Sequence, residues 1–437
     1  EVIYAGALKG IMDSLEDPYS TYLDTTSMRS LNDTTVGNFG GVGLSISKPV
    51  NSTAEKPAYV EVASPIEGGP GYKAGIHAGD LLISINGTPT QDITMDEVLG
   101  MLRGKIGESV DVVVRRGKNM EFPVTLVRGL IEVPTVKFGM IDDKNAKIGY
   151  LRIIEFTPQT AQRVQDAIDS FKKNNFTGMI IDLRNNPGGL ITSVADVADK
   201  FIDSGIIVST KSRISEAASV YTATPDATTM PKGIPIVVLI NKGSASASEI
   251  LAGALKDYHL AYLVGERTYG KGSVQQVIPL YNADGVKLTM ARYYTPSDVN
   301  IDKIGIPPDM EVKVPDLTEE QEKSYVELIN KAEIEKYVEE HPNMNEHDIA
   351  VYAKALTYTY KLDEKLLRRL IRIEVERTRE PSLYDLDYDD QLKEAIRIIE
   401  SEDFEKLVKS TKTLKELQEQ ALLEDKSLSK DSKEDKN

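Results

Sequence analysis

Three serines alternate with alanine in the run Ser244-Ala-Ser-Ala-Ser248, which lies directly before Glu249 and an amphipathic segment. A serine on the turn before a helix is well placed for nucleophilic attack, because the helix N-terminus favours the negative charge that develops there. Serines in this position also cap helices. The run therefore predicts a serine nucleophile, and its spacing leaves Ser244, Ser246 and Ser248 all open.

Strands and helices alternate upstream of this run. Ile234–Ile240 is predicted as a central strand and Glu249–Tyr258 as a helix, so the serines occupy the turn between them. The same alternation begins near Lys147, with predicted elements at Ile148–Ile154, Thr160–Asn174, Met179–Leu183 and Leu190–Phe201. Such a pattern is typical of a parallel α/β layer.

A glycine turn follows the strand Met179–Leu183. Asn186-Pro-Gly-Gly189 exposes the backbone N–H groups of Gly188 or Gly189, and the N–H of Ala247 would follow a nucleophile at Ser246. These donors suit an oxyanion of acyl transfer. A tight turn is needed here in any case, and the choice between the two glycines stays open.

Histidine is scarce and dispersed, which makes a zinc site improbable and predicts no metal. A Ser-His pair through His259 is not excluded by spacing. The four histidines are His77, His259, His341 and His347.

Composition sets wider limits. The 437 residues carry a net charge of −16 and no cysteine, which argues against nucleic acid as a partner and excludes thiol chemistry and disulfides. No apolar run of about 18 residues is present. The chain opens at Glu1, so we expect that a leader or membrane anchor preceded it, as in an exported, extracytoplasmic protein of the periplasm or cell envelope.

Four separated motifs are similar to the carboxyl-terminal processing (tail-specific) peptidases, S41-type serine proteases with an inserted PDZ domain. The resemblance covers about residues 1–314. The motifs are Leu15-Glu-Asp-Pro-Tyr-Ser-Thr-Tyr-Leu23, Gly75-Ile-His-Ala-Gly-Asp-Leu-Leu-Ile-Ser-Ile-Asn-Gly87, Ile181-Asp-Leu-Arg-Asn-Asn-Pro-Gly-Gly189, and the stretch from Gly243 to Gln275.

The resemblance implies roles for individual residues. It makes Ser246 the nucleophile, Lys271 of Tyr-Gly-Lys-Gly the base, Gln275 the residue that holds the lysine, and Asp257 a structural acid. It also implies a protease core of the ClpP/crotonase-like kind and no cofactor.

A lysine acts as a base only when its amine is neutral. Since its ordinary pKa is about 10.4, Lys271 needs a pocket that lowers this value by roughly 2–3 units. Gly270 and Gly272 let the backbone approach closely. Gln275 adds a hydrogen-bonding group without adding charge.

The second motif predicts a peptide-binding function. PDZ domains add an extended C-terminal peptide to a sheet edge and hold its carboxylate with backbone N–H groups. The matching loop is Gly41-Val42-Gly43-Leu44, and Leu44, Ile46 and the helix Met95–Arg103 would line the pocket. The alternative is that this glycine loop is only a bend.

The predicted organisation is a multidomain α/β chain in five parts. They are an N-terminal helical segment (1–37), a β-rich PDZ domain (38–128), the protease core (129–316), a helical C-terminal region (317–424) and a disordered tail (425–437). Helices are predicted at Thr318–Glu340, Asn345–Tyr360, Asp363–Arg379 and Tyr388–Gln420. The terminal helices are candidates for self-association and for docking a regulatory protein, or form a stabilising cap.

One departure from the family pattern is Asp298-Val-Asn-Ile301, where Gly-Arg-Ser-Ile is usual, and it bears on local substrate contacts. We therefore expect an ATP-independent endopeptidase that recognises proteins or peptides with free apolar C-termini and cuts near them. The alternatives are a catalytically silent PDZ scaffold and a hydratase or hydrolase of the acyl-CoA type.

Overall fold

The computed structural model describes residues 2–49, 57–66, 68–117, 120–142, 146–214, 216, 218–313, 317–376, 382–400 and 403–423, without the side chains of Val2, Ser30 and residues 32–36. The predicted disordered tail, 425–437, lies outside these residues.

The strands, in chain order, are β1 (Thr21–Leu23), β2 (Asn38–Gly41), β3 (Leu44–Ser47), β4 (Val60–Pro65), β5 (Leu81–Ile85), β6 (Thr88–Pro89), β7 (Ser109–Arg116), β8 (Met120–Val127), β9 (Gly129–Glu132), β10 (Val136–Asp142), β11 (Lys147–Ile153), β12 (Gly178–Asp182), β13 (Gly205–Lys211), β14 (Ser219–Ala223), β15 (Ile236–Ile240), β16 (Tyr262–Gly265), β17 (Ser273–Pro279), β18 (Gly285–Tyr294) and β19 (Met310–Glu311).

The helices are α1 (Val2–Asp13), α2 (Thr25–Val36), α3 (Pro70–Lys73), α4 (Met95–Leu102), α5 (Thr160–Lys173), α6 (Ile191–Ala198), α7 (Ala247–Asp257), α8 (Glu319–Asn330), α9 (Glu333–Glu340), α10 (Glu346–Tyr360), α11 (Glu364–Glu376), α12 (Asp390–Ile399) and α13 (Phe404–Lys409). Residues 414–423 are also helical.

The chain forms two compact units. The first contains Glu1–Gly37, Pro134–Lys313 and Asp389–Asn437, and the second contains Asn38–Val133 and Val314–Tyr388. The predicted helical region 317–424 is thus divided near Asp389, and its last part belongs to the unit that carries the serine turn.

The centre of the first unit is a six-stranded sheet in the order β10-β11-β12-β15-β16-β19. All neighbours are parallel except β10 and β11, and this confirms the predicted α/β layer. Its apolar core includes residues of α5, α6 and α7, among them Val164, Val194 and Leu251. Since β12 and β15 are adjacent and parallel, the turns that follow them meet at one sheet edge.

A second sheet of this unit, in the order β1-β18-β13-β14 with β17 paired to β18, was not predicted. Its strands come from distant parts of the chain: β1 pairs with β18 at Thr21 and Lys287, for example. Strand β17 starts two residues after Lys271, so this sheet extends directly from the lysine loop.

In the second unit, residues 38–133 form the predicted β-rich module. Its main sheet has the order β3-β4-β5-β7-β8, with β6 on β5, and β2 pairs separately with β9. The apolar core includes Val62, Leu82, Val98 and Val112. Helix α4 begins with a capping box between Thr94 and Glu97, as is common at helix starts.

Two long helix predictions are wrong. Thr318–Glu340 is interrupted at Ala332, which has the left-handed φ of 49°, so α8 and α9 are separate. Tyr388–Gln420 is divided into α12, α13 and the helical residues 414–423. Both stretches have helical composition throughout, and the breaks contain neither glycine nor proline as a signal. The core of this helical part includes Leu328, Ile349 and Leu367.

Candidate active site

The three serines of the turn have different environments. Ser244 and Ser248 are both 0% exposed. The Ser244 hydroxyl donates to the carbonyl of Leu183 (2.8 Å), and the Ser248 hydroxyl donates to the carbonyl of Asn186 (3.0 Å). Ser246 is only half-buried. The hydroxyls of Ser244 and Ser248 therefore join the serine turn to the turn that follows β12. Of the three serines, Ser246 is placed to meet a substrate.

Ser246 has an unusual backbone conformation, with φ 53° and ψ −114°, immediately before α7. Such a conformation costs of order 1–3 kcal/mol and persists only where neighbouring contacts hold it. Here the Ser246 carbonyl accepts from the buried Tyr293 hydroxyl at 3.3 Å, and its N–H donates to Glu249 Oε2 at 2.8 Å. These contacts fix the direction in which the side chain leaves the turn.

Glu249 links the serine turn to the lysine loop. Its carboxylate is fully buried and accepts from the N–H groups of Ser246 (2.8 Å), Gly270 (2.7 Å) and Lys271 (2.9 Å), as well as from the Thr268 hydroxyl (2.5 Å). Burial raises the pKa of Glu249, and these four donors act in the opposite direction. One side chain thus sets the separation of the two segments.

Lys271 has an environment that favours the neutral amine. Burial, together with the charge of Lys287, lowers the pKa of Lys271, and the Glu249 charge opposes this shift. The Lys271 Nζ lies over the ring of Tyr19, 5.2 Å from its centroid. Among the described residues, no hydrogen bond joins Nζ to Ser246 or Gln275. The Leu15–Leu23 motif thus supplies an aromatic wall to the lysine.

The Gln275 amide donates to Ser273 Oγ (2.9 Å) and Thr289 Oγ1 (3.3 Å). The N–H of Thr289 donates in turn to Ser20 Oγ at 3.1 Å. Gln275 and the first motif therefore meet at Thr289 on β18, beside the end of the lysine loop.

The segment that departs from the family pattern holds the lysine loop. The Asn300 amide donates to the carbonyls of Gly272 (3.1 Å) and Tyr293 (2.7 Å), and the N–H of Gly272 donates to Asp302 Oδ1 (3.3 Å). A Cβ on Gly272 would meet the backbone of Asp302 at 2.5 Å, which explains the glycine. Sequence reasoning assigned this segment to substrate contacts and missed this role.

The glycine turn after β12 lies against the serine turn. A Cβ on Gly188 would come within 2.8 Å of the Ser246 Cβ and 2.9 Å of the Ala247 nitrogen, so only glycine fits. The Gly188 N–H already donates to Asn186 Oδ1 at 2.8 Å. Gly189, with φ 140°, follows it. The position of the turn suits an oxyanion site, and the occupied N–H of Gly188 favours Gly189 as the donor.

Two other residues lie away from the nucleophile. His259 follows α7, whereas Ser246 precedes it, and the length of this helix separates them by roughly 16 Å. Its Nδ1 lies 3.0 Å from Thr411 Oγ1. Asp257 accepts from the N–H groups of Ser297 (3.0 Å) and Leu414 (2.8 Å), which is a structural contact.

The β-rich module carries the predicted peptide site. Strand β3 is at the end of its sheet, so among the described residues one edge of β3 has no partner strand. Before it, Gly43 has φ 68°, and the carbonyl of Val42 accepts from Gly71 at 2.8 Å. Leu44, Ile46, Met95 and Met101 are half-buried on the module's core. The Gly41–Leu44 loop therefore opens onto a free strand edge.

Comparisons with known proteins agree with this geometry. The profile of peptidase family S41 matches residues 147–312, and a PDZ domain profile matches residues 61–116. No described helix is long and apolar enough to cross a membrane.

Among curated relatives, a carboxy-terminal-processing protease of Bartonella bacilliformis is 38% identical over 337 residues, covering 76% of this chain and 74% of that protein. Carboxyl-terminal-processing peptidase 2 of Arabidopsis thaliana chloroplasts is 37% identical, covering 69% of this chain and 59% of the relative. CtpA of Bacillus subtilis is 36% identical, covering 71% and 64%. The chain therefore belongs to the carboxy-terminal-processing serine proteases of peptidase family S41.

Proposed function

We propose that the protease hydrolyses peptide bonds with Ser246 as nucleophile and Lys271 as general base, and that its PDZ domain recognises free apolar C-termini. The observation that carries the first part is the Glu249 carboxylate, which accepts from the backbone N–H groups of both Ser246 and Lys271. No other buried carboxylate of the described residues joins the serine turn to a lysine.

In the acylation step the neutral Lys271 amine takes the proton of the Ser246 hydroxyl, and Oγ attacks the scissile carbonyl carbon. The oxyanion accepts from the N–H groups of Ala247 and Gly189. The ammonium then protonates the leaving amine, the C–N bond breaks, and an acyl-enzyme remains. Water attacks this ester with Lys271 again as base, which releases the new C-terminal carboxylate and restores Ser246.

This chemistry requires the Lys271 side chain to turn from the Tyr19 ring towards Ser246. Gln275 would orient the amine through Oε1, since its amide nitrogen is engaged by Ser273 and Thr289. The lowered pKa of Lys271 supports its role as a base, because more of the amine is neutral near neutral pH.

The test is cleavage of an unstructured protein with an apolar C-terminal tail at mildly alkaline pH. The native chain should cut, and Ser246→Ala and Lys271→Ala should not. Ser204→Ala is the control, because it removes a serine hydroxyl from an exposed position outside this turn. Cutting by Lys271→Ala would disprove the base assignment, and failure of the native chain to cut would favour the silent scaffold.

The recognition part is supported by the free edge of β3 beside the Gly41–Leu44 loop. A peptide with a free apolar C-terminus should bind, and the same peptide with an amidated C-terminus should bind much more weakly, because the loop's N–H groups lose their carboxylate partner. Equal binding of both peptides would contradict recognition of the C-terminus.

We also propose that the protein acts outside the cytoplasm and associates with itself through its terminal helices. Support for the second point is the exposure of apolar side chains on α1, where Ile3 is 89% and Ile11 60% exposed. Light scattering on the native chain and on Ile3→Glu/Ile11→Glu tests it, and an unchanged mass would exclude α1 as the contact. Cell fractionation tests the location.

A further inference from the structure

A buried polar network begins at the end of β12. Asp182 is 1% exposed and accepts from the Tyr150 hydroxyl at 2.7 Å. Arg184 binds the same carboxylate with two donors, Nε to Oδ1 at 3.0 Å and Nη2 to Oδ2 at 2.7 Å. Burial alone would raise the pKa of Asp182, but the Arg184 charge and hydrogen bonds hold it below its ordinary value. The buried charges of Asp182 and Arg184 thus stabilise each other.

The other side of Arg184 is held by the C-terminal segment. Its Nη1 and Nη2 donate to the two carboxylate oxygens of Asp389 at 2.8 and 2.6 Å, and Nη1 also donates to Gln391 Oε1 at 3.1 Å. Gln391 is buried, and its amide donates to the carbonyl of Val312 at 2.7 Å. Planar, two-point pairing of this kind fixes the direction of a guanidinium as well as its position.

Arg184 is followed at once by the glycine turn of the active site. The Asn185 N–H donates to Asn241 Oδ1 at 2.9 Å, and the Asn241 amide donates back to Asn185 Oδ1 at 2.9 Å. The carbonyl of Asn186 accepts from the N–H of Ala245 and the hydroxyl of Ser248, both at 3.0 Å. These hydrogen bonds connect the residues that follow Arg184 to Ala245 and Ser248, on both sides of Ser246.

We propose that Asp389 and Gln391 are positioning residues for the reaction: the segment 389–400 completes a clamp on Arg184 that holds the glycine turn against Ser246. The inference deepens the proposed function and depends on it. The clamp acts through Arg184, since Asp389 and Gln391 touch neither Ser246 nor Lys271.

Helix α12 offers a way to separate orientation from stability. Its apolar face, which includes Leu392 and Ile396, is buried in the same unit, and Ile399 packs so closely on Gly178 that a Cβ there would lie 2.3 Å from Ile399 Cγ2. Truncating Leu392 removes apolar packing but leaves the Asp389 carboxylate in place. Changing Asp389 to asparagine removes the carboxylate but leaves the apolar packing of α12 in place.

The experiment measures kcat and KM on a short fluorogenic peptide, the rate of labelling by a fluorophosphonate, and the Tm, for Asp389→Asn, Gln391→Leu and Leu392→Ala. Asp389→Asn and Gln391→Leu should lower kcat and the labelling rate about 10-fold or more, because small displacements of catalytic groups have effects up to about 10²-fold. KM should change much less. Asp389→Glu, which keeps the carboxylate, should recover part of kcat.

Leu392→Ala should lower the Tm at least as much as Asp389→Asn but leave kcat close to the native value at temperatures where it is folded. Asp403→Asn, an exposed residue C-terminal to this segment, controls for the loss of one charge. The clamp is refuted if Asp389→Asn keeps the native kcat, or if kcat follows Tm equally in Asp389→Asn and Leu392→Ala. If native chain and Ser246→Ala have the same activity, the proposed function itself fails.

Discussion

Replacing Glu249 with glutamine should damage both the stability and the pH profile of the protease. Each oxygen of the native carboxylate accepts two hydrogen bonds, and three of the four donors are backbone N–H groups, which cannot become acceptors. The hydrogen bonds therefore favour the ionised form, whereas burial raises the pKa of Glu249. In glutamine one oxygen becomes an NH₂ group, and at least one backbone N–H loses its acceptor.

The least costly orientation keeps the glutamine oxygen on Ser246 and Lys271 and turns the NH₂ towards Thr268 and Gly270. The Thr268 hydroxyl can rotate, but the Gly270 N–H is left without an acceptor, at a cost of about 1–3 kcal/mol. The remaining bonds lose their charged acceptor, and removal of a buried charge offsets part of that loss. We expect a net loss of about 2 kcal/mol, or a Tm lower by about 4–8 °C for a unit of this size.

The pH profile gives an independent test. The Glu249 charge raises the pKa of Lys271, so its removal should lower that pKa and move the rising limb of kcat/KM to lower pH. Because the lysine loop is loosened, kcat on the plateau should fall about 10- to 100-fold. The assay is hydrolysis of a short peptide across neutral to alkaline pH, with Glu266→Gln as the control for loss of a nearby carboxylate. A limb that stays in place or moves to higher pH would refute the argument that Glu249 is ionised and faces the lysine.

Three further predictions concern the same site. Lys271→Met should abolish cleavage and raise the Tm at neutral pH. Because the folded-state pKa of Lys271 is lowered, the native chain gains stability as the pH rises towards the ordinary lysine pKa. The difference in Tm between Lys271→Met and the native chain should therefore vanish near that pH. Ser246→Gly should be inactive but about 1 kcal/mol more stable than Ser246→Ala in denaturant unfolding, because glycine tolerates φ 53°; equal stabilities would contradict strain at this residue. Tyr19→Leu should move the rising limb of the kcat/KM profile about half a pH unit lower, because a ring contact favours the ammonium by roughly 0.5–1 kcal/mol. A shift of this limb to higher pH would show that the ring acts mainly by excluding water.

The sequence predicts those parts of the site that follow one another along the chain. Strands β12 and β15, helix α7 and the glycine turn were each found from apolar runs and turn residues, because such signals are local. The alternation of serine and alanine could not single out Ser246. The burial of Ser244 and Ser248 distinguishes Ser246 from them. That burial depends on hydrogen bonds to the carbonyls of Leu183 and Asn186, which are distant in the sequence.

Other parts could not be predicted for a physical reason. Arg184 and Asp389 are 205 residues apart in the chain, and the sequence carries no information on which distant charges meet. Asn300 lies in a segment without regular structure, and only the folded chain brings it to Gly272. Glu249 is different: glutamate three residues after serine is the pattern of a capping box, so its contact with the Ser246 N–H was open to prediction, whereas its contacts with Gly270 and Lys271 were not.

The arrangement around Glu249 would resolve a conflict in the proposed Ser-Lys catalysis. A lysine base must be close to the serine, yet a carboxylate that held the two segments together could pair with the ammonium and keep it charged. In this protein the Glu249 carboxylate instead accepts hydrogen bonds from three backbone N–H groups and one hydroxyl. The ammonium instead faces the Tyr19 ring, a much weaker partner than a carboxylate. In the proposed mechanism the carboxylate can thus position both Ser246 and Lys271 while burial still lowers the pKa of the amine.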